Sequence, residues 1–185
     1  RDTLVSEICA SLEEHRCLIL NGDILIGKTI LAELIGLAKP DYNPLIIRLL
    51  YDNSRNPLAH IPFITEQDRC KLLIIDGFPE YGIEITEHIC QTIQNAIRMG
   101  VQVLITARSF NTLIASKYHF LQYTVPTITD EELQKSYPQC VEGLSKLIIS
   151  ISGGYPMLVN LLLLYLEVNN WELSKQQLVD FISIS

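Results

Sequence analysis

Eight consecutive residues, Gly22-Asp23-Ile24-Leu25-Ile26-Gly27-Lys28-Thr29, carry the most specific chemistry in the sequence. Glycine at either end lets the backbone curl until successive N–H groups converge, and the helix that follows adds the positive end of its dipole. Such a loop is built to hold phosphate. Lys28 would reach the outer phosphates as a point charge, and the Thr29 hydroxyl would ligate Mg2+. Ile30, next in the chain, completes the set of nucleotide-contacting positions. Ile24-Leu25-Ile26 is bulkier than phosphate loops usually are. Leu25 stands where glycine is common, which predicts either a narrowed pocket or an unusual φ at that residue.

Further candidates lie downstream. Asp76 closes the apolar run Lys71–Asp76, placing a carboxylate beyond the carboxyl end of a strand, where open α/β sheets bind ligands. There it would hold Mg2+, through water, with Gly77 keeping the approach open. Glu80 is a candidate for polarising an attacking water, and a solvated turn residue is its plain alternative. Arg108 follows the run Leu104–Ala107, from which it would point into the same crevice and sense or stabilise γ-phosphate charge, and a surface arginine opening a loop is its plain alternative. Pro156, after Gly153-Gly154-Tyr155, suits the first turn of a helix.

The elements that must position these residues follow from hydrophobic period. Helical stripes run through Leu4–Leu12, Ile30–Ala38 and Thr86–Arg98. Short apolar runs at Cys17–Leu20, Leu45–Leu50, Lys71–Asp76 and Val101–Thr106 read as strands, with Tyr123–Val125 as the last. The near-continuous runs imply burial on both faces, as in a parallel sheet. Residues 53–69, with Pro57 and Pro62, read as a loop with room for a short helix. After Pro126 the pattern is helical throughout: Glu131–Ser136, Val141–Ser152, Tyr155–Val168 and Ser174–Ile184. Strands alternating with helices, then helices alone, predict a parallel α/β sheet at residues 1–126 carrying a small all-helical domain at 127–185. With the Gly22–Thr29 loop after the first strand, this arrangement resembles the three-layer parallel sheet of P-loop NTPases.

Composition bounds the function. The chain has 185 residues, a formal net charge of −7 and 48% hydrophobic residues, enough to build a core. An acidic chain with no basic stripe is a poor nucleic-acid coat. The most apolar stretch, Tyr155–Val168, is too short and too interrupted by Asn160 and Glu167 to span a bilayer. Five scattered cysteines without a C-x-x-C pair read as reduced thiols in the cytoplasm, and the four histidines do not join them at zinc spacing.

Together these motifs resemble the STAND class of P-loop NTPases in the AAA+ superfamily, and its NACHT-like members in particular. Gly22–Thr29 is similar to the Walker A motif and Leu72–Glu80 (LLIIDGFPE) to the NACHT form of Walker B, with Pro79 where an acid is common. Leu104–Arg108 resembles a sensor 1 strand, and Ser152–Pro156 the G-x-P element whose proline lies against adenine. The resemblance implies a switch that binds ATP or ADP with Mg2+, hydrolyses slowly and controls self-association. Its helical lid would be Thr127–Ser185, and effector and sensor domains would lie outside this segment. Defence or regulatory signalling would be the output. The alternative is a degenerate, non-hydrolysing structural or interaction module, with Leu25 and Pro79 marking lost chemistry.

Overall fold

The computed structural model describes residues 2–49, 70–140 and 142–171. The loop expected at 53–69 and the helix expected at Ser174–Ile184 lie outside them. Five parallel strands form one sheet in the order β2-β3-β4-β1-β5: β1 (Cys17–Asn21), β2 (Leu45–Arg48), β3 (Leu72–Phe78), β4 (Gln102–Ala107) and β5 (Leu121–Thr124). The helices are α1 (Asp2–His15), α2 (Lys28–Ala38), α3 (Ile83–Arg98), α4 (Thr112–Lys117), α5 (Asp130–Ser136), α6 (Glu142–Ser152) and α7 (Pro156–Val168). The expected strands and helices are there, with ends moved by a few residues. β3 runs on past Asp76 to Phe78, and α4 had no forecast. That short helix is held by Asn111, whose side-chain oxygen accepts from the N–H groups of Leu113 and Ile114.

Alternation along the buried strands divides the sheet into two faces. Cys17, Ile19, Leu73, Ile75, Val103 and Ile105 pack with Ile89, Cys90 and Ile93 of α3 and with Ile114 of α4. On the other face, α1 and α2 pack on each other and on the sheet. Full burial of each such aliphatic side chain contributes about 1.5–3 kcal/mol. Gly36 lets α2 come close, because a Cβ there would stand 3.3 Å from Ile74 Cδ1 and 3.7 Å from Pro44. Lys39, at the end of α2, is 6% exposed. Its ammonium donates to Glu13 Oε1 at 2.9 Å and Gln102 Oε1 at 3.3 Å, and lies 4.3 Å from the Tyr42 ring centre. It thereby ties α1 and α2 to the start of β4, a role its sequence position gave no hint of.

Contacts divide the chain into two units, Arg1–Ile24 with Lys28–Val125, and Leu25–Gly27 with Pro126–Ser185. Among its described residues, the second unit holds α5, α6 and α7. A capping box starts α5: Thr129 Oγ1 accepts from the Glu132 N–H, and the Glu132 carboxylate accepts from the Thr129 N–H. Leu133, Ile148, Val159, Leu162, Leu163 and Leu166 form its core. Gly154, at φ +72°, passes so near Ile128 that a Cβ would lie 2.5 Å from that residue's carbonyl oxygen. Among the described residues no helix is long and apolar enough to cross a membrane.

Candidate functional site

The carboxyl ends of β1, β3 and β4 meet at the loop between β1 and α2. β1 ends at Asn21 and α2 begins at Lys28, so the intervening residues must reverse the chain within one turn. Gly27 takes φ +88° and Leu25 takes φ +69°, a left-handed conformation that costs a residue with a side chain roughly 1–2 kcal/mol. The Leu25 side chain is turned outward, 44% exposed, as is Ile24 at 61%, whereas Ile26 is buried. Of the two expected consequences of a bulky loop, the unusual φ is the one adopted. Ile30 faces solvent on α2, and the exposed Asp23 leads into the turn.

Lys28 folds back across the loop. Its Nζ donates to Gly22 O at 2.6 Å and Asp23 O at 2.8 Å. Burial pushes its pKa down, opposed by the nearby charges of Asp23 and Asp76 and assisted by that of Arg108. The first turn of α2 holds no acidic residue, so its unpaired N–H groups keep their attraction for an anion.

Asp76 is 4% exposed. Its Oδ1 accepts from Thr29 Oγ1 at 3.0 Å and from Thr106 Oγ1 at 2.6 Å, and Thr106 Oγ1 in turn accepts from the Gly77 N–H at 2.8 Å. The hydroxyl and carboxylate read as magnesium ligands therefore meet, although they lie 47 positions apart in the chain. They are hard oxygen donors, and no group of three or more His, Cys, Asp or Glu side chains suited to a metal occurs among the described residues. This donor set fits Mg2+, which takes one or two protein oxygens and keeps water and phosphate for the rest.

Thr106 escaped the sequence reading, although a hydroxyl inside the apolar run Leu104–Ala107 was a usable signal. Ser109 also escaped it: its Oγ donates to Glu80 Oε1 at 2.9 Å, so Glu80 is an exposed but tethered carboxylate. Arg108 is exposed just beyond β4. Beside Glu80, a cleft of about 280 Å3 is lined by Phe78, Pro79, Tyr81, Thr86, Phe110 and Asn111, among others. Pro156 is the first residue of α7. Within the second unit its ring stands 3.9 Å from where a Cβ on Gly27 would be.

No family model matches the chain, and no curated protein matches it. Solved structures do. RuvB of Thermotoga maritima is 16% identical with a TM-score of 0.65, over all of this chain and 69% of that one. DnaA of Aquifex aeolicus, solved with AMPPCP bound, is 11% identical with a TM-score of 0.62, over 97% of this chain and 66% of that one. PCH-2 of C. elegans is 15% identical with a TM-score of 0.53, over 80% of this chain and 48% of that one. The chain thus spans about half of the PCH-2 structure and about two thirds of the others. At these identities the likeness is one of fold: a parallel α/β sheet of P-loop NTPase type followed by a helical part.

Proposed function

We propose that the chain is a nucleotide-binding module that takes ATP or ADP with Mg2+, hydrolyses ATP slowly and acts as a STAND/NACHT-like switch controlling self-association. The observation that carries nucleotide binding is the convergence of Thr29 and Asp76 beside a phosphate-loop lysine. The Lys28 ammonium, now on two carbonyl oxygens, would exchange them for phosphate oxygens, whose full charge makes the stronger hydrogen bond. Thr29 and Asp76 would hold Mg2+, which when bound neutralises phosphate charge. Thr106 donates from β4 to the same Asp76 oxygen and fixes the carboxylate. Glu80, held by Ser109, would orient the attacking water and accept its proton. Arg108 would face the γ-phosphate. Pro156 is assigned the base contact on the family resemblance alone. The switch role, the slow rate, self-association and attached effector domains rest on the same resemblance.

A structural module without nucleotide is favoured by Leu25 at φ +69° and by Pro79 beside Glu80. Thermal unfolding with and without Mg–ATP or Mg–ADP separates the two readings. A ligand that binds only the folded state stabilises it by about 2.7 kcal/mol at a hundredfold excess over Kd. The expected result is a rise in Tm with either nucleotide that disappears in Lys28→Ala. No rise in the parent protein would leave the structural module.

A further inference from the structure

β2 ends in Arg48, and Arg48 stands opposite Asp76 in the parallel pairing of β2 with β3. Neighbouring strands lie about 4.8 Å apart, less than the length of an extended arginine. Both side chains leave the sheet on the same face. Asp76 meets Thr29 of α2, while Arg48 pairs with Glu33 of α2 through its Nη2. Glu33 follows Thr29 by four positions and so sits one turn along the same side of that helix. Two bridges therefore run side by side from α2 to the sheet. The first is the hydroxyl–carboxylate pair proposed for magnesium, and the second is an arginine–glutamate ion pair to which no role has been given.

The ion pair is easily exchanged. Its side chains are 52% and 42% exposed, so each partner keeps much of its hydration whether paired or free. A phosphate brought to the end of β3 would compete well for the guanidinium, since a planar fork of donors suits phosphate oxygens as it suits carboxylate. Left alone there, the Glu33 carboxylate would repel the incoming anion.

We infer that Arg48 is a γ-phosphate-sensing residue, held by Glu33 when the terminal phosphate is absent and drawn to the magnesium-bound triphosphate when it is present. The inference rests on the nucleotide-binding reading and adds to it a residue that distinguishes ATP from ADP. Only the triphosphate carries the γ-phosphate that Arg48 would meet, so only the triphosphate should feel the change.

The test is calorimetric titration of the parent protein, Arg48→Ala, Arg48→Lys and Glu33→Gln with Mg–ADP and with a non-hydrolysable Mg–ATP analogue. Loss of the charged contact in Arg48→Ala should weaken the analogue about tenfold and leave ADP within about twofold. Arg48→Lys should recover part of the loss. Glu33→Gln, which frees the guanidinium, should tighten the analogue and leave ADP alone. Equal effects on both nucleotides, or none on either, overturn the inference while nucleotide binding stands. If the parent binds neither nucleotide, the nucleotide-binding reading fails and takes the inference with it. Should Arg48→Ala melt early, Arg48→Lys and Glu33→Gln decide the matter, because both keep the bulk of the side chain.

Discussion

A leucine at φ +69° in the middle of a phosphate loop marks a conflict between local preference and loop geometry. The turn between β1 and α2 demands a left-handed residue, and leucine supplies it at a cost of roughly 1–2 kcal/mol. Glycine would remove that strain but would release chain entropy worth about 0.5–1 kcal/mol in the unfolded state. Leu25→Gly is therefore expected to raise the unfolding free energy by on the order of 0.5–1 kcal/mol, measured by urea denaturation without nucleotide. A loss of stability would mean that the outward leucine makes contacts worth more than its strain. The other loop residues need no such concession. Gly27 takes its φ of +88° without a clashing Cβ, and Lys28 finds two carbonyl partners in the loop itself.

At the scale of elements, the helices on the α2 side of the sheet are fastened at opposite ends by different chemistry. The site end has the Thr29–Asp76 and Arg48–Glu33 bridges, and the far end has Lys39 between Glu13 and Gln102. The hydrogen bond from Lys39, and then its charge, hold the Glu13 carboxyl below its ordinary value of 4.5. Because the folded value is the lower one, this pairing contributes fully above pH 4.5 and is lost as the pH falls through the depressed folded value. Glu13→Gln should accordingly flatten the decline of stability with acid below about pH 4.5, followed by denaturant unfolding at each pH. A curve parallel to that of the parent would mean that the pair has no share in fastening α1. Most of these elements could be read from the residues alone, since β1, β3 and β4 announce their burial by unbroken apolar runs. The short helix α4 could not, because six residues carry too little periodicity to register.

For the molecule as a whole, the two units carry separate hydrophobic clusters. Trp171, the sole tryptophan of the sequence, packs against the cluster of the second unit and so reports on it. Leu166, 0% exposed in that cluster, should cost about 2–5 kcal/mol when cut back to alanine. The expected outcome is a Trp171 fluorescence transition at lower denaturant in Leu166→Ala, with the circular-dichroism change of the sheet-bearing unit following later. Coincident transitions in the variant would show that the units unfold together. On α7, Met157, Leu161, Leu164 and Val168 form a second apolar stripe, exposed on the side away from the buried one.

What the sequence determined by itself is the architecture and the phosphate loop, because both are written in local terms. Burial sets the apolar period of each strand and helix, and the loop needs glycines, a lysine and a threonine at fixed spacing in one stretch of chain. Asp76 was legible for the same reason, as a carboxylate at the end of an apolar run. Only the tertiary structure decided which side chains meet. Thr106 joins Asp76 from another strand, Ser109 tethers Glu80 from another loop, and Arg48 stands across from Asp76 by sheet register. Those pairings span tens of residues, and strand order, not local pattern, brings them together.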